Sequence, residues 1–240
     1  MSYSETTNLS KIREMAKLFL EFQPHPVEGC EILVSHPFTN TSIMQVRQAP
    51  QNSQLPLNCV NIMTEAGAEV WRAEMRTVID DVSLSLLFEL LNKPYRLVFL
   101  KQIRSFMSKA DFSEYLAHVW VSVENGNNDE NVGLPEIKKW FREAAPDSLM
   151  GKEDFEYYQN LPDGIPLYRG VAVGRNPKGI SWTDDLAVAK WFANRYGKGG
   201  YVQVIEKSRK SHVLAYFNSR NEHEVVYDPN REKFERISAD

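Results

Sequence analysis

Cysteine is scarce in this chain: only Cys30 and Cys59 occur in 240 residues, with no Cys-x-x-Cys pair and no histidines at metal-ligand spacing. That excludes a disulfide framework and a structural zinc site, so no metal is expected and both cysteines read as buried thiols. Long apolar runs are also missing. None approaches the roughly 18 to 20 residues a membrane span needs, and no basic segment leads into a hydrophobic signal region at the N-terminus. The expectation is a cytoplasmic protein with no membrane partner. No internal repeat is visible.

What is present is the composition of an ordinary soluble protein, 42% hydrophobic and 25% charged. The net charge of −4 hides an asymmetry. Residues 1–160 hold 15 Lys+Arg against 22 Asp+Glu, a balance of −7, whereas residues 161–240 hold 13 against 10, a balance of +3. The C-terminal part is therefore the better host for an anionic ligand.

The first two-thirds is mostly helical in pattern. Leu9, Ile12, Ala16, Phe19 and Leu20 recur at helical spacing before Pro24, with Ser10 as a cap. Two β-like runs, 31–35 and 42–47, suggest a hairpin, and 48–57 reads as an exposed loop. Helical patterns cover 65–91, 95–108 and 111–124. Their core candidates are Val70, Ala73, Ile79, Val82, Leu86, Leu87 and Leu90, then Leu97, Phe99, Leu100, Ile103 and Phe106, then Tyr115, Leu116, Val119 and Trp120. The polar run 124–133 reads as a solvated linker, since its acids lack the ligand alternation of an EF-hand. Helices follow from Pro135 to Ala144 and from Lys152 to Asn160.

Leu161 to Pro166 is dense in turn residues and marks a domain boundary, with a mostly helical lobe over 1–160 and a second domain over 161–240. Beyond it, 166–173, 179–183, 201–206, 213–217 and 224–227 are β-like, and 184–196 is helical. Thr183 is placed as its N-cap, Gly197 at its end, and Leu186, Ala189, Phe192 and Ala193 on its buried face.

Three short motifs lie in this last third: Leu167-Tyr168-Arg169-Gly170, Ser181-Trp182-Thr183 and Arg220-Asn221-Glu222-His223-Glu224. On an extended segment Glu222 and Glu224 share one face and His223 takes the other. Paired acids repel when both are ionised, unless a cation, a donor or a reaction uses them. Taken alone, the pair reads as a solvated β-edge.

The order of the motifs resembles the arginine-serine-glutamate class of mono-ADP-ribosyltransferases, over about residues 161–230. Tyr168-Arg169-Gly170 stands for that family's first motif, Ser181-Trp182-Thr183 for its Ser-Thr-Ser, and Glu222-His223-Glu224-Val225-Val226 for its Glu/Gln-x-Glu and following aliphatics. Tryptophan replaces the middle threonine, and Asp184 stands at the final serine of the motif.

The resemblance implies an α+β chain whose C-terminal domain is a split β-sandwich binding NAD as co-substrate. It implies a glycosyltransferase-class enzyme that moves ADP-ribose to a macromolecular acceptor, a protein arginine or a nucleic acid. Glu224 is the group that would stabilise oxocarbenium character at the ribose. Arg169 would hold a phosphate or adjacent ribose, Ser181 would orient Glu224, Thr183 would support the strand-to-helix turn, and Gly170 would allow close approach to nicotinamide. Phe192, Tyr201 and Phe217 are candidates for a stack on the nicotinamide ring. Glu222 would position the acceptor and lean toward a guanidine.

Such enzymes include toxins and phage or host-conflict effectors, with an inhibitory or antitoxin partner assignable to residues 1–160. Lys207, Arg209, Lys210 and His212 could contact phosphate, though a solvated hairpin turn is favoured for them. NAD glycohydrolysis and a non-catalytic NAD-binding or interaction module are the alternatives.

Overall fold

A computed structural model describes residues 3–47, 58–124, 126–230 and 232–239; the loop expected over 48–57 lies outside the described residues. The chain is α+β and folds as two units, Met1–Ser108 and Lys109–Asp240. The turn-rich stretch 161–166 falls inside the second unit, because the helices of 109–160 pack with the sheet that follows them. No helix among the described residues is long and apolar enough to cross a membrane.

In the first unit, helix α1 (Leu9–Leu20) starts at Asn8 rather than Ser10: the Asn8 side chain accepts from the Lys11 amide at 3.0 Å. Its buried face is Ile12, Ala16, Phe19 and Leu20. Strands β1 (His25–Val27), β2 (Cys30–His36) and β3 (Thr39–Thr41) form one antiparallel sheet, and β4 (Ile43–Gln45) pairs instead with β5 (Cys59–Asn61). The hairpin therefore joins β2 to β3 and not to 42–47. The tight turn at Pro37-Phe38 sets Thr39 directly against His36, and β4 is left for a later partner. Both cysteines are thiols outside any disulfide, and each is half-buried rather than fully buried.

The expected helix over 65–91 is two helices, α2 (Glu65–Asp81) and α3 (Leu84–Leu90), separated where Val82 and Ser83 are extended. Ser83 accepts from the Leu86 amide at 3.2 Å and so starts a new helix where hydrophobic spacing alone suggests continuity. Ala73 and Leu86 face solvent, whereas Trp71 and Phe88, which the spacing passes over, are buried. Helix α4 (Lys93–Ile103) adds Phe99, whose ring meets Phe19 edge-on at 5.2 Å and Phe88 at 5.5 Å. Truncating such a fully buried ring costs about 3–5 kcal/mol.

The second unit opens with α5 (Lys109–Ser122), which has Asp111 in its first turn. A 3-10 turn (Gly126–Asn128) and helices α6 (Leu134–Glu143), α7 (Pro146–Leu149) and α8 (Lys152–Asn160) follow. Then come β6 (Leu167–Val171), β7 (Ser181–Thr183), α9 (Leu186–Asn194), β8 (Tyr201–Ile205), β9 (Val213–Phe217), β10 (Glu224–Tyr227) and a strand the sequence did not announce, β11 (Glu235–Ser238). They form an antiparallel sheet in the order β11-β8-β6-β7-β10-β9.

One join in that sheet differs from the rest. Strand β6 pairs with β8 over five positions, and β10 with β7 over three, but β6 and β7 share only Tyr168↔Thr183. The sheet is thus two three-stranded blocks that part at this position. Arg169 and Gly170 lie on one side of the parting and Ser181 and Trp182 on the other.

Helix α9 covers the β6–β8 face through Ala189, Ala193, Val202 and Val204, with Tyr168 and Leu186 at the margin. Gly170 makes this contact possible: a Cβ there would lie 2.1 Å from the Ala189 carbonyl oxygen. Asp185, not Thr183, caps the helix, accepting from the Ala187 amide at 2.7 Å. Thr183 stays in β7 because the Tyr168 and Glu224 pairings hold it there, and its hydroxyl accepts from the Asp185 amide at 3.1 Å. Gly197 follows the helix with φ +119°, its amide donating to the Asn194 carbonyl.

Candidate active site

The three motifs converge on the parting of the sheet. Arg169 is 8% exposed, and its guanidinium spans the gap where a backbone ladder would otherwise continue. Nη1 donates to the Ser181 carbonyl at 2.7 Å and Nη2 to the Asn176 carbonyl at 2.9 Å. The Nε–H has no hydrogen-bond partner among the described residues. Gly179 is packed onto the same group, since a Cβ there would sit 2.2 Å from Nη2. Burial lowers the Arg169 pKa to about 10, while the nearby Glu224 and Tyr201 act to raise it.

Glu224 opens β10, directly across from Thr183 on one side and Phe217 on the other. Its Oε1 accepts from the Trp120 indole Nε1 at 2.9 Å, and the Ser181 hydroxyl is a further hydrogen-bond partner of its carboxylate. Burial pushes the Glu224 carboxyl above the ordinary value. Ser181, Trp120 and the Arg220 charge pull the other way, and Glu222 reinforces the rise. A half-buried carboxylate held by two donors is fixed in direction and strengthened in its electrostatic effect.

Two residues of this site carry no motif. Trp120, on α5, has the spacing of a core residue and does pack edge-on against Phe141 at 5.3 Å, yet its N–H is spent on Glu224. Asn127 lies in the polar run that reads as a linker. Its Nδ2 donates to Ser181 Oγ at 2.9 Å, its Oδ1 accepts from the Ile180 amide at 2.6 Å, and its carbonyl accepts from Asn176 Nδ2 at 2.8 Å. This asparagine ties the segments bearing Ser181 and the Arg169 anchor to one point. Only a signal linking 120–128 to 181–224 in space could have found either residue, and neither spacing nor composition contains one.

No family model matches the chain, and no curated protein and no solved structure matches it either. The functional reading of the site therefore stands on its geometry and on the motif resemblance.

The remaining expected residues separate by environment. Glu222 does not share a strand face with Glu224, because Asn221 and His223 have left-handed backbones, φ +55° and +47°, which break the two-residue alternation. Its carboxylate is instead paired with Arg220 Nη2 at 2.7 Å. His223 turns to Asp184, 3.4 Å away, in a group completed by Tyr216 and Tyr157. Phe217 is buried against Phe141, Phe192 is set edge-on to Trp191 at 4.9 Å, and the Arg236 guanidinium lies 4.7 Å over Tyr201.

The basic segment 207–212 keeps Lys207 and Arg209 exposed to solvent, and three of its side chains also have neighbours. His212 and Arg209 approach Glu232 at 2.9 and 3.6 Å, and Lys210 lies over the Tyr158 ring at 4.0 Å. Lys207, Arg209 and His212 also line a cavity of about 820 Å³ with Phe234. Among the described residues no group of three or more His, Cys, Asp or Glu side chains could hold a metal ion.

Proposed function

We propose that the chain is an NAD-dependent mono-ADP-ribosyltransferase whose second unit is a split-sandwich catalytic domain of the arginine-serine-glutamate type. One observation carries the reading: Glu224, a half-buried carboxylate aimed by Ser181 and Trp120, stands beside the parting of the sheet into which Arg169 is built. The parting into two three-stranded blocks supports the sandwich.

The chemistry follows from these groups. Cleavage of the bond between nicotinamide and ribose places positive charge at C1′, and an ionised Glu224 stabilises it from the ribose 2′-hydroxyl side. Nicotinamide departs with the bonding electrons, an acceptor nucleophile forms the new bond to C1′, and the acceptor's proton passes to a base, the role the motif gives to Glu222. Arg169, with its unsatisfied buried Nε–H, fits an anionic portion of NAD. The helix packed against Gly170 accounts for that glycine without a ligand.

Glycohydrolysis is the second reading, favoured by the Arg220–Glu222 pair: an acceptor guanidine must displace the chain's own arginine, whereas water need not. Incubation with NAD labelled in the adenylate distinguishes them. Label on a macromolecule supports transfer, and free ADP-ribose alone supports hydrolysis. Glu224→Gln is expected to reduce either activity by about 10²- to 10³-fold. Undiminished activity in that variant would remove Glu224 from the mechanism.

A further inference from the structure

The end of helix α9 and the loop after β6 place four exposed side chains, two aromatic rings and two arginines, in one stack. The Arg195 guanidinium lies 5.5 Å from the Trp191 ring and 5.5 Å from the Tyr196 ring, and Arg175 lies 4.6 Å over the same Tyr196. Both rings remain 57% exposed. A single exposed aromatic is ordinary, but here one arginine bridges two exposed rings and a second lies over one of them.

Along this stretch of chain the charge is mostly positive. From Gly164 to Ile205 the only acids are Asp184 and Asp185, and both are committed elsewhere, Asp184 to His223 and Tyr157 and Asp185 to the helix cap. Lys178 and Lys198, both exposed, add to the arginines in the same stretch. The stack also borders the candidate site. Arg175 precedes Asn176, whose carbonyl anchors Arg169, and Phe192, next to Trp191, has its Cβ 2.8 Å from where a Gly170 Cβ would lie.

We infer that Trp191, Arg195, Tyr196 and Arg175 form a docking platform for single-stranded nucleic acid, presenting it to the neighbouring site. Flat exposed rings accept unpaired bases of any sequence, while the arginines and flanking lysines meet the backbone phosphates. An acidic peptide would satisfy the charges but leave the two rings uncovered, and a duplex keeps its bases stacked internally. The platform's role in presenting an acceptor rests on the transferase reading; its binding of nucleic acid does not.

The test measures binding without NAD, so it is independent of the reaction. Fluorescence anisotropy of labelled 12-nucleotide single-stranded DNA and RNA, titrated with the full chain at 50 mM salt, is expected to show saturable binding that weakens steeply at 200 mM. Trp191→Ala should weaken it about tenfold, and Arg195→Gln should lower the salt slope by about one. Both variants should keep the wild-type circular dichroism and NAD-cleaving activity, which reports separately on the transferase reading. No saturable binding, equal binding of polyglutamate or duplex, or binding that both folded variants leave unchanged would overturn the inference.

Discussion

The Trp120 indole N–H donates to the Glu224 carboxylate at 2.9 Å across 104 residues of sequence. A side chain that packs edge-on against Phe141 thereby also fixes the direction of the candidate catalytic acid. Trp120→Phe separates these duties, since phenylalanine keeps the ring contact and loses the donor. A hydrogen bond to a charged group is worth about 1.5–3 kcal/mol, so NAD cleavage should fall by roughly tenfold or more. Because the lost donor favoured the ionised form, the acid limb of the pH–rate profile should also move to higher pH. An unmoved limb would reduce Trp120 to packing alone.

Glu224 itself links activity to stability with opposite signs. Its carboxyl is raised above the ordinary value by burial, so the ionised form works against folding at neutral pH. Glu224→Gln, inactive, should melt at a higher temperature than wild type near pH 7. The difference should shrink as the pH falls and the wild-type carboxyl takes up its proton. Melting curves of both proteins across the acid range check the sign.

Arg169→Lys removes the fork that serves two carbonyls at once. A lysine ammonium lacks the two separated nitrogens of the planar fork that reach Ser181 and Asn176, and one buried acceptor left unpaired costs about 1–3 kcal/mol. Urea unfolding should show that loss, and the apparent affinity for NAD should fall with it. Unchanged stability would mean that the parting of the sheet does not depend on this bridge.

Gly170→Ala tests helix packing rather than ligand approach. The added methyl meets backbone, the Ala189 carbonyl oxygen at 2.1 Å and the Ala193 nitrogen at 2.7 Å, so α9 must move off the sheet. A cost of about 1–3 kcal/mol or more is expected in urea unfolding. Gly133→Ala is the control, because its new methyl meets only Pro135 Cδ at 3.7 Å.

In the first unit, fully buried His36 accepts from the Phe38 amide at 3.1 Å through Nδ1, while Nε2, 3.1 Å from the Phe22 carbonyl, must carry the proton. Burial lowers its pKa from 6.5 to about 4, so the neutral form is the one the fold accommodates. Its contribution is complete above pH 6.5. Between pH 6.5 and 4 the unfolded chain gains a proton that the folded chain refuses, and stability should fall on the order of 2–3 kcal/mol. His36→Asn should flatten that part of the stability–pH curve.

Local chemistry made much of the chain legible in sequence. The strand and helix order from Leu167 to Tyr227 follows from alternation, helical spacing and turn residues, and the ends of α8 follow from its neighbours. Legibility failed where a short-range hydrogen bond overrode the hydrophobic period, as at Ser83, or where a partner strand pre-empted another, as when β5 took β4. It also failed at Glu222, whose pairing with Glu224 assumed an extended backbone that Asn221 and His223 do not adopt.

For the site, residue order alone supplies the groups: a guanidinium at 169, a hydroxyl at 181 and a carboxylate at 224. What holds them comes from contacts between distant segments. Trp120 and Asn127 look like a core aromatic and a linker residue because hydrogen bonds between distant segments leave no periodicity behind. Likewise, one shared pair between β6 and β7 opens the sheet beside Arg169. Strand register is a contest among all the strands of a sheet, and no single strand's residues carry its outcome.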